Sequence, residues 1–570
     1  MLRRPSFFAA LMFGIAGLVM FAPGQPTSEP SLPAAIARMQ ANDFTGAAAI
    51  LDEVTKREPA NARAWRNLGL ANQRLKKYDE AVAAYLASLK VEPQSAVAAY
   101  NLGCAYAQKG DTGHAFEYLS KAKALHADLT NVANDPDLAS LKSDPRFAQL
   151  VPKPEDFANP FVEPVTVIRE WDGEAANDQF GWIARNMGDV DGDGIADVVT
   201  SAPTKDIGGA KAGRVYVYSS RTGKLFWKVD GQPGDQLGSG VEGAGDVDGD
   251  GVPDVVASAP GAGRAFVYSG KDGHVLRTFA AEDKNDAFGS HVSSVGDVDR
   301  DGFADVVVGA PANRANGKGA GRAYVYSGKD GHVLLTLSGE REGDGFGSTV
   351  AGYSDKTRSF ILVGAPGAGP RKTGRTYVYS GLSARPAFTI DSDDTGRALG
   401  AMFLSVPGDV DGDGIPDVYA SDFSNAAKGP MTGRVYIHSG RDGRRLFTFT
   451  GEMAGEGFGI GVAGAGDVDH DGHDDLIIGS WQYAGAAASG GRAYLYSGRD
   501  GQLLKTYTCR IPGDTFGFDA VGIGDVNHDG VTDLLITSAW SGIHGYHSGR
   551  IFILSSGMPA SLKKLKTAHD

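Results

Sequence analysis

The chain has 570 residues, 80 of them glycine, and a formal net charge of −14. That length accommodates two or three domains, and that charge argues against nucleic acid as a partner, because phosphate recognition needs clustered Lys and Arg. The two cysteines, Cys104 and Cys509, fall in different predicted domains, which argues against a structural disulfide.

The amino terminus reads MLRRPSFFAALMFGIAGLVMFAPGQP, with Arg3 and Arg4 ahead of an apolar run from Phe7 to Ala22. The run is at the short edge for a bilayer span and reads as an export signal over residues 1–25. No clear small-x-small cleavage site follows, so an uncleaved membrane anchor is the alternative. Either reading places the remainder outside the cytoplasm, as a secreted, periplasmic or cell-surface chain where calcium is plentiful.

From residue 31 to 150 the apolar period is helical. Trp65, Leu68, Gly69, Tyr78, Ala81, Tyr85 and Pro93 mark one unit, and Leu102, Gly103, Tyr106, Ala115 and Ala122 repeat it 34 residues later. Ala47 and Pro59 keep a weaker earlier copy. Small residues let paired helices approach, and aromatics fill the space beside them. The pattern resembles the tetratricopeptide repeat, a helix–turn–helix unit of that length. NDPDLASLKSDPRF, from Asn134, reads as the cap of the stack. The resemblance implies a concave groove that binds a peptide or, in so short a stack, a spacer; Trp65, Tyr85, Tyr100 and Tyr106 read as interhelix core.

Val151 to Pro164 holds four prolines and reads as a stiff linker. From Val165 a different unit begins and runs seven times, to about Gly557, with residues 558–570 as a tail. Each unit has strand-like runs such as VTVIREW from Val165, DVVTSAP from Asp197 and GRVYVYS from Gly213, with period-2 alternation. An FG pair recurs at Phe180, Phe288, Phe346, Phe458 and Phe516, with Leu237 and Leu399 as variants. Four short strands in each of seven units describe a β-propeller. The fold class is therefore multidomain, helical repeats followed by an all-β seven-bladed propeller over residues 165–557. Blade seven lacks a fourth strand of its own, and VTVIREW lacks a blade; the ring closes by pairing Val165–Trp171 with Ile551–Leu554.

Inside each unit sits an acidic loop. GDVDGDGIADVVTSAP, from Gly188, places Asp189, Asp191, Asp193 and Asp197 in nine residues. Four carboxylates so close repel each other without a cation, and hard oxygens at alternate positions suit Ca²⁺, with the backbone carbonyl of Ile195 as a further ligand. Copies begin at Gly245, Gly296, Gly408, Gly466 and Gly524. The copy from Gly352, GYSDKTRSFILVGAP, has lost the acidic ladder. An EF-hand is excluded: it needs Glu at position twelve, where Thr200, Ala257 and Val308 stand.

The FG and GAP signatures with an acidic loop between them resemble the FG-GAP repeats of the integrin alpha-chain head. The resemblance covers the propeller and implies about six calcium ions. Their ligands are Asp189, Asp191, Asp193, Ile195 and Asp197 in blade one; Asp246, Asp248, Asp250, Val252 and Asp254 in blade two; and Asp297, Asp299, Asp301, Phe303 and Asp305 in blade three. Blade five supplies Asp409, Asp411, Asp413, Ile415 and Asp417, and blade six supplies Asp467, Asp469, Asp471, His473 and Asp475. Blade seven supplies Asp525, Asn527, Asp529, Val531 and Asp533, a weaker site because Asn lacks the charge. Blade four receives no ion. Six divalent cations would reduce a net charge of −14 to −2.

No G-x-S-x-G and no H-E-x-x-H is present, and His544, Tyr546 and His547 form the one suggestive cluster. The chain reads as a non-catalytic binding or scaffold protein with a protein or glycan ligand; the alternatives are a lectin or a polysaccharide-acting enzyme. Loops joining the second and third strands lie opposite the acidic loops and carry aromatics, so Trp481, Tyr483, Trp540 and Tyr546 are the expected exposed contact residues.

Overall fold

The computed structural model describes residues 30–558 and separates into two units, divided between Asp156 and Phe157. The amino-terminal export or anchor segment and nearly all of the tail lie outside the described residues. No helix among the described residues is long and apolar enough to cross a membrane.

The first unit is three helix pairs: α1 Leu32–Gln40 with α2 Phe44–Arg57, α3 Ala62–Arg74 with α4 Tyr78–Val91, and α5 Ala96–Lys109 with α6 Thr112–Ala124. Side chains cap the amino ends. Asp43 accepts from Gly46 N at 2.8 Å, Asn61 from Ala64 N at 3.0 Å and Asp111 from His114 N at 3.1 Å. Gly69 and Gly103 are required by packing. A Cβ at Gly69 would stand 2.6 Å from the Tyr85 ring, and one at Gly103 would stand 2.7 Å from Leu119. Tyr85, Tyr100 and Tyr106 are buried in the interhelix core, as expected. The segment from Asn134 is a run of 3-10 turns that buries Leu138, Leu141, Phe147 and Leu150 against the same core. Its acids also reach the first helix of the second and third pairs. Tyr100 donates to Asp135 at 2.6 Å, Gln108 to Asp137 at 2.9 Å and Gln73 to Asp137 at 3.2 Å.

The second unit is seven antiparallel sheets of four strands. Blade one is Ala184–Gly188, Asp197–Ala202, Arg214–Tyr218 and Leu225–Asp230, inner to outer. Its second strand is buried at every position, as are those of blades two, three, six and seven, because each blade is packed on both faces. The FG glycine has a specific task. It takes a positive φ, 78° at Gly181 and 88° at Gly347, and its N–H then donates to the second strand. Gly181 bonds Ser201 O at 2.9 Å, Gly347 bonds Gly364 O at 2.9 Å, and Gly517 bonds Thr537 O at 3.0 Å. The preceding phenylalanines Phe180, Phe346 and Phe516 are buried, each burial contributing about 1.5–3 kcal/mol.

Val167–Asp172 completes blade seven, pairing Val167 with Leu554, Trp171 with Ile551 and Asp172 with Arg550. The expected swap of chain ends is what closes the ring and removes an exposed edge. The expected linker is corrected: residues 157–164 belong to the propeller. Phe157 and Phe161 are buried, Phe161 packing 5.1 Å from Phe516 and 5.3 Å from Phe552. Val162 N donates to Thr508 O at 2.9 Å, Arg510 N to Pro160 O at 2.7 Å and Thr508 N to Glu163 at 2.7 Å.

Candidate metal centre

Each acidic loop joins the inner strand of a blade to the second. In blade one the ladder breaks register at Gly188, which pairs with Asp197, so the loop between them is freed from the sheet. The first aspartate then folds the loop. Asp189 accepts from Gly192 N at 2.8 Å, Asp193 N at 3.1 Å and Gly194 N at 2.8 Å. The ninth anchors its base, Asp197 accepting from Val190 N at 2.9 Å and Ser220 N at 3.1 Å. Blades two, three and seven repeat this shift at Gly245, Gly296 and Gly524, with Asp254, Asp305 and Asp533 as anchors.

The result is a convergent set of carboxylate oxygens. One oxygen from each of Asp189, Asp191 and Asp197 lies within 4.8 Å of the others, and so for Asp297, Asp299 and Asp305; Asp409, Asp411 and Asp417; and Asp467, Asp469 and Asp475. Blade two brings together Asp246, Asp248 and Asp250. The ninth aspartate is fully buried in all six loops. Burial pushes Asp197, Asp254, Asp305 and Asp475 up to about 6, and Asp417 and Asp533 up to about 7, despite their backbone hydrogen bonds. Asp411 Oδ1 and Asp533 Oδ1 are buried with no hydrogen-bond partner. Buried carboxylates with orphaned oxygens, crowded by like charges, fit a hard divalent cation.

Other expected ligands stand differently. Asp193 faces Arg221 at 3.3 Å, Asp301 faces Lys329 at 3.7 Å and Asp413 faces Arg441 at 2.6 Å, so the fifth position lies outside those triads. Ile195 and Ile415 bury their side chains in the core. His473 turns Nδ1 to Val410 O at 2.9 Å, so its ring is engaged away from the triad. In blade seven Asn527 donates to Asp529 at 3.0 Å. In blade four the ladder continues unbroken to Ser354–Ser359, and Asp355 closes the turn by accepting from Thr357 N at 2.6 Å and Arg358 N at 2.8 Å. These bonds hold its carboxyl down at about 2.

The four expected contact aromatics are a correction. Trp481, Tyr483, Trp540 and Tyr546 are all buried, not exposed. Trp481 packs edge-on against Trp540 at 4.7 Å, Trp540 stacks on His547 at 4.8 Å, and Arg492 covers Tyr483 at 3.8 Å. Loops that carry large rings fold them back onto their own and the neighbouring blade, because leaving that much apolar surface in water is unfavourable. His547 is buried with them, while His544 is half-exposed and 3.5 Å from Asp172.

Sequence reasoning missed a row of arginines on the face opposite the acidic loops. Every third strand begins with one, and most are held by acids. Arg214 pairs with Asp230 and Glu174, Arg375 with Asp391 at 2.6 Å, and Arg492 with Glu452 at 3.0 Å. The signal was present as the G-R that opens GRVYVYS and its copies.

Comparison with known proteins follows the same division. The tetratricopeptide repeat family matches residues 32–90 and 73–129. The FG-GAP repeat matches 186–218, 240–275, 288–326 and 518–554, and an FG-GAP-like repeat matches 405–478. Integrin alpha-4 of Xenopus laevis is 28% identical over 250 residues, 40% of this chain and 23% of the integrin. Integrin alpha-V of Gallus gallus is 30% identical over 200 residues, 31% of this chain and 19% of the integrin. Human phosphatidylinositol-glycan-specific phospholipase D is 28% identical over 393 residues, 57% of this chain and 46% of that protein. The chain thus spans less than a quarter of these integrins and under half of the phospholipase. Helical pairs, seven blades and these matches together identify it as a tetratricopeptide-repeat chain joined to an FG-GAP β-propeller similar to that of the integrin alpha chains.

Proposed function

We propose that this chain is a non-catalytic, extracytoplasmic scaffold whose propeller is braced by calcium and docks a protein partner. The observation that carries the reading is the set of convergent carboxylate triads, one per acidic loop in five blades, four of them seated on a buried ninth aspartate. Blade seven adds a sixth, weaker site. The ions hold loops in shape and do no chemistry: each would be enclosed by a single short loop, with the ninth aspartate sealed beneath it. The helical unit is a second docking surface or a spacer. Similarity to integrin alpha chains supports a protein partner at a cell surface, and the apolar amino-terminal run supports export. Titration calorimetry on chelator-stripped protein tests the metal, with about six Ca²⁺ bound per chain as the expected result; the absence of binding at millimolar calcium overturns it. Capture from the producing cell's envelope tests the partner. The similarity to a phospholipase D favours a different, enzymatic reading, and hydrolysis of a glycan-linked phosphatidylinositol to phosphatidate and the inositol glycan would establish it.

A further inference from the structure

The row of third-strand arginines contains one exception. In the sheet register each arginine stands opposite a residue of the outer strand. Arg214 faces Asp230, Arg322 faces Ser338, Arg375 faces Asp391, Arg434 faces Thr450, Arg492 faces Thr508 and Arg550 faces Asp172. Arg264 of blade two faces Ala280. A second acid, six residues before the FG position, supports the arginine in other blades: Arg322 pairs with Glu282 at 2.9 Å, and Arg434 with Asp393. Blade two has Gly231 at that position. Arg264 therefore lacks both acids. Among the described residues it is the member of the row with no side-chain hydrogen bond, ion pair or ring contact, and it is exposed where Arg214 and Arg550 are buried.

The backbone around it is opened to match. The loop between the second and third strands is residues 260–263 in blade two, against 203–213 in blade one and 311–321 in blade three. That shortening uncovers a cleft of about 270 Å³ lined by Gly261, Ala262, Gly263, Ala280 and Ala281 around Arg264, with Lys284 on its rim. The nearby acids are engaged elsewhere. Asp283 accepts from Asn285 N at 2.8 Å, and Asp235 from Gln232 N at 2.9 Å. A chain of net charge −14 thus presents, in one small-residue cleft, a free guanidinium and an ammonium.

We propose that this cleft binds a carboxylate side chain, Asp or Glu, from an acidic segment of a protein partner. The molecule shows the chemistry in its neighbours: Arg375 takes Asp391 through two bonds, Nε at 2.6 Å and Nη2 at 2.8 Å. A planar guanidinium fork matches a carboxylate in this bidentate way. Blade two has kept the arginine and lost the acid, so an incoming side chain completes the pair. The proposal rests on the partner being a protein and names the chemistry of one contact.

The test is fluorescence anisotropy of labelled deca-glutamate against the full chain at saturating calcium, with polygalacturonate as the carbohydrate carboxylate. Deca-glutamate should bind the native chain. Arg264→Gln should weaken it at least about tenfold, the loss typical of a charge-assisted pair, and Ala280→Asp should weaken it similarly by supplying the missing acid from within. Both positions border open space, and an unchanged melting temperature would establish that the fold is intact. Deca-glutamate binding that neither substitution alters overturns the site, as does binding of polygalacturonate alone. A calcium-responsive chain that ignores both probes overturns the site while leaving the scaffold reading standing.

Discussion

Blades four and five solve one problem in two ways. Both must connect a partly buried inner strand to a buried second strand at the same rim. Blade four uses a tight turn: the ladder runs to Ser354–Ser359, and one exposed carboxylate, Asp355, ties the turn with backbone bonds. Blade five has only Leu404–Ser405 in ladder geometry, followed by a long loop folded around Asp409, Asp411 and Asp417. Asp417 is fully buried and pushed up to about 7. The first loop is complete with protein atoms alone. The second concentrates negative charge that Arg441 and Arg444 offset only in part, at Asp413 and Asp411, which leaves the buried Asp417 without a basic partner. On the proposed reading six loops take an ion, whereas blade four shows that the rim can be joined without an acidic cluster.

Removing all the ions is the harshest test of that contrast. Extracellular modules hold calcium with dissociation constants of about 10⁻⁴ to 10⁻³ M. At ~1 mM calcium and ~10⁻⁴ M affinity each site adds about 1.4 kcal/mol, and six independent sites sum to roughly 8 kcal/mol, comparable to a whole domain's stability. Calorimetric melting with and without chelator should show a drop of many degrees for the propeller and none for the helical unit. Equal melting in both conditions would remove the distinction between blades four and five.

Closure of the ring sets the reference for that measurement, because it needs no metal. A chain beginning at Asp156 keeps Phe157, Phe161 and Trp171; one beginning at Asp172 exposes the edge Arg550–Ser555. Losing those rings should cost about 6 kcal/mol at 1.5–3 kcal/mol each, equally with and without calcium. If the shorter chain melts like the longer one, the amino-terminal strand is not what closes the ring.

Much of this was legible in the sequence. The FG positions, the DVVTSAP strands and the six acidic ladders gave blade number, order and the closing strand, because each is a local pattern repeated in phase. What escaped was long-range. Phe157 and Phe161 sit among prolines and read as linker, yet both are buried in one core cluster with Phe516 and Phe552, more than 350 residues on, Phe161 in ring contact with both. Trp481 and Trp540 read as exposed loop aromatics because a loop's sequence does not say which way it folds. Asp193 and Asp413 keep the ligand spacing, and the hairpin after the third strand brings Arg221 and Arg441 against them. Spacing cannot reveal a base contributed by another turn.

Within blade five the contrast narrows to one residue. Asp417→Ala deletes the buried anchor, leaving Val410 N and Gly440 N without their acceptors at 2.8 and 3.0 Å. Unsatisfied buried donors cost about 1–3 kcal/mol, and loss of the ion adds about 1.4 kcal/mol at ~1 mM calcium. Calorimetry should find one ion fewer. An unchanged ion count would show that the other loop oxygens hold the metal without their base.

The mildest change tests the other side. Asp355→Ala in blade four removes a carboxylate that holds Thr357 N and Arg358 N, two exposed turn bonds. Water can replace such bonds, so the loss should be about 1 kcal/mol. It should be the same in calcium and in chelator, with no change in ions bound. Acid should erase the difference between variant and parent. The turn's bonds hold Asp355 at about 2, below its unfolded value of 3.8, so its contribution is present above pH 4 and disappears as pH falls toward 2. A calcium-dependent effect of this substitution would mean that blade four, too, binds an ion, and the comparison on which its turn was distinguished from the six loops would fail.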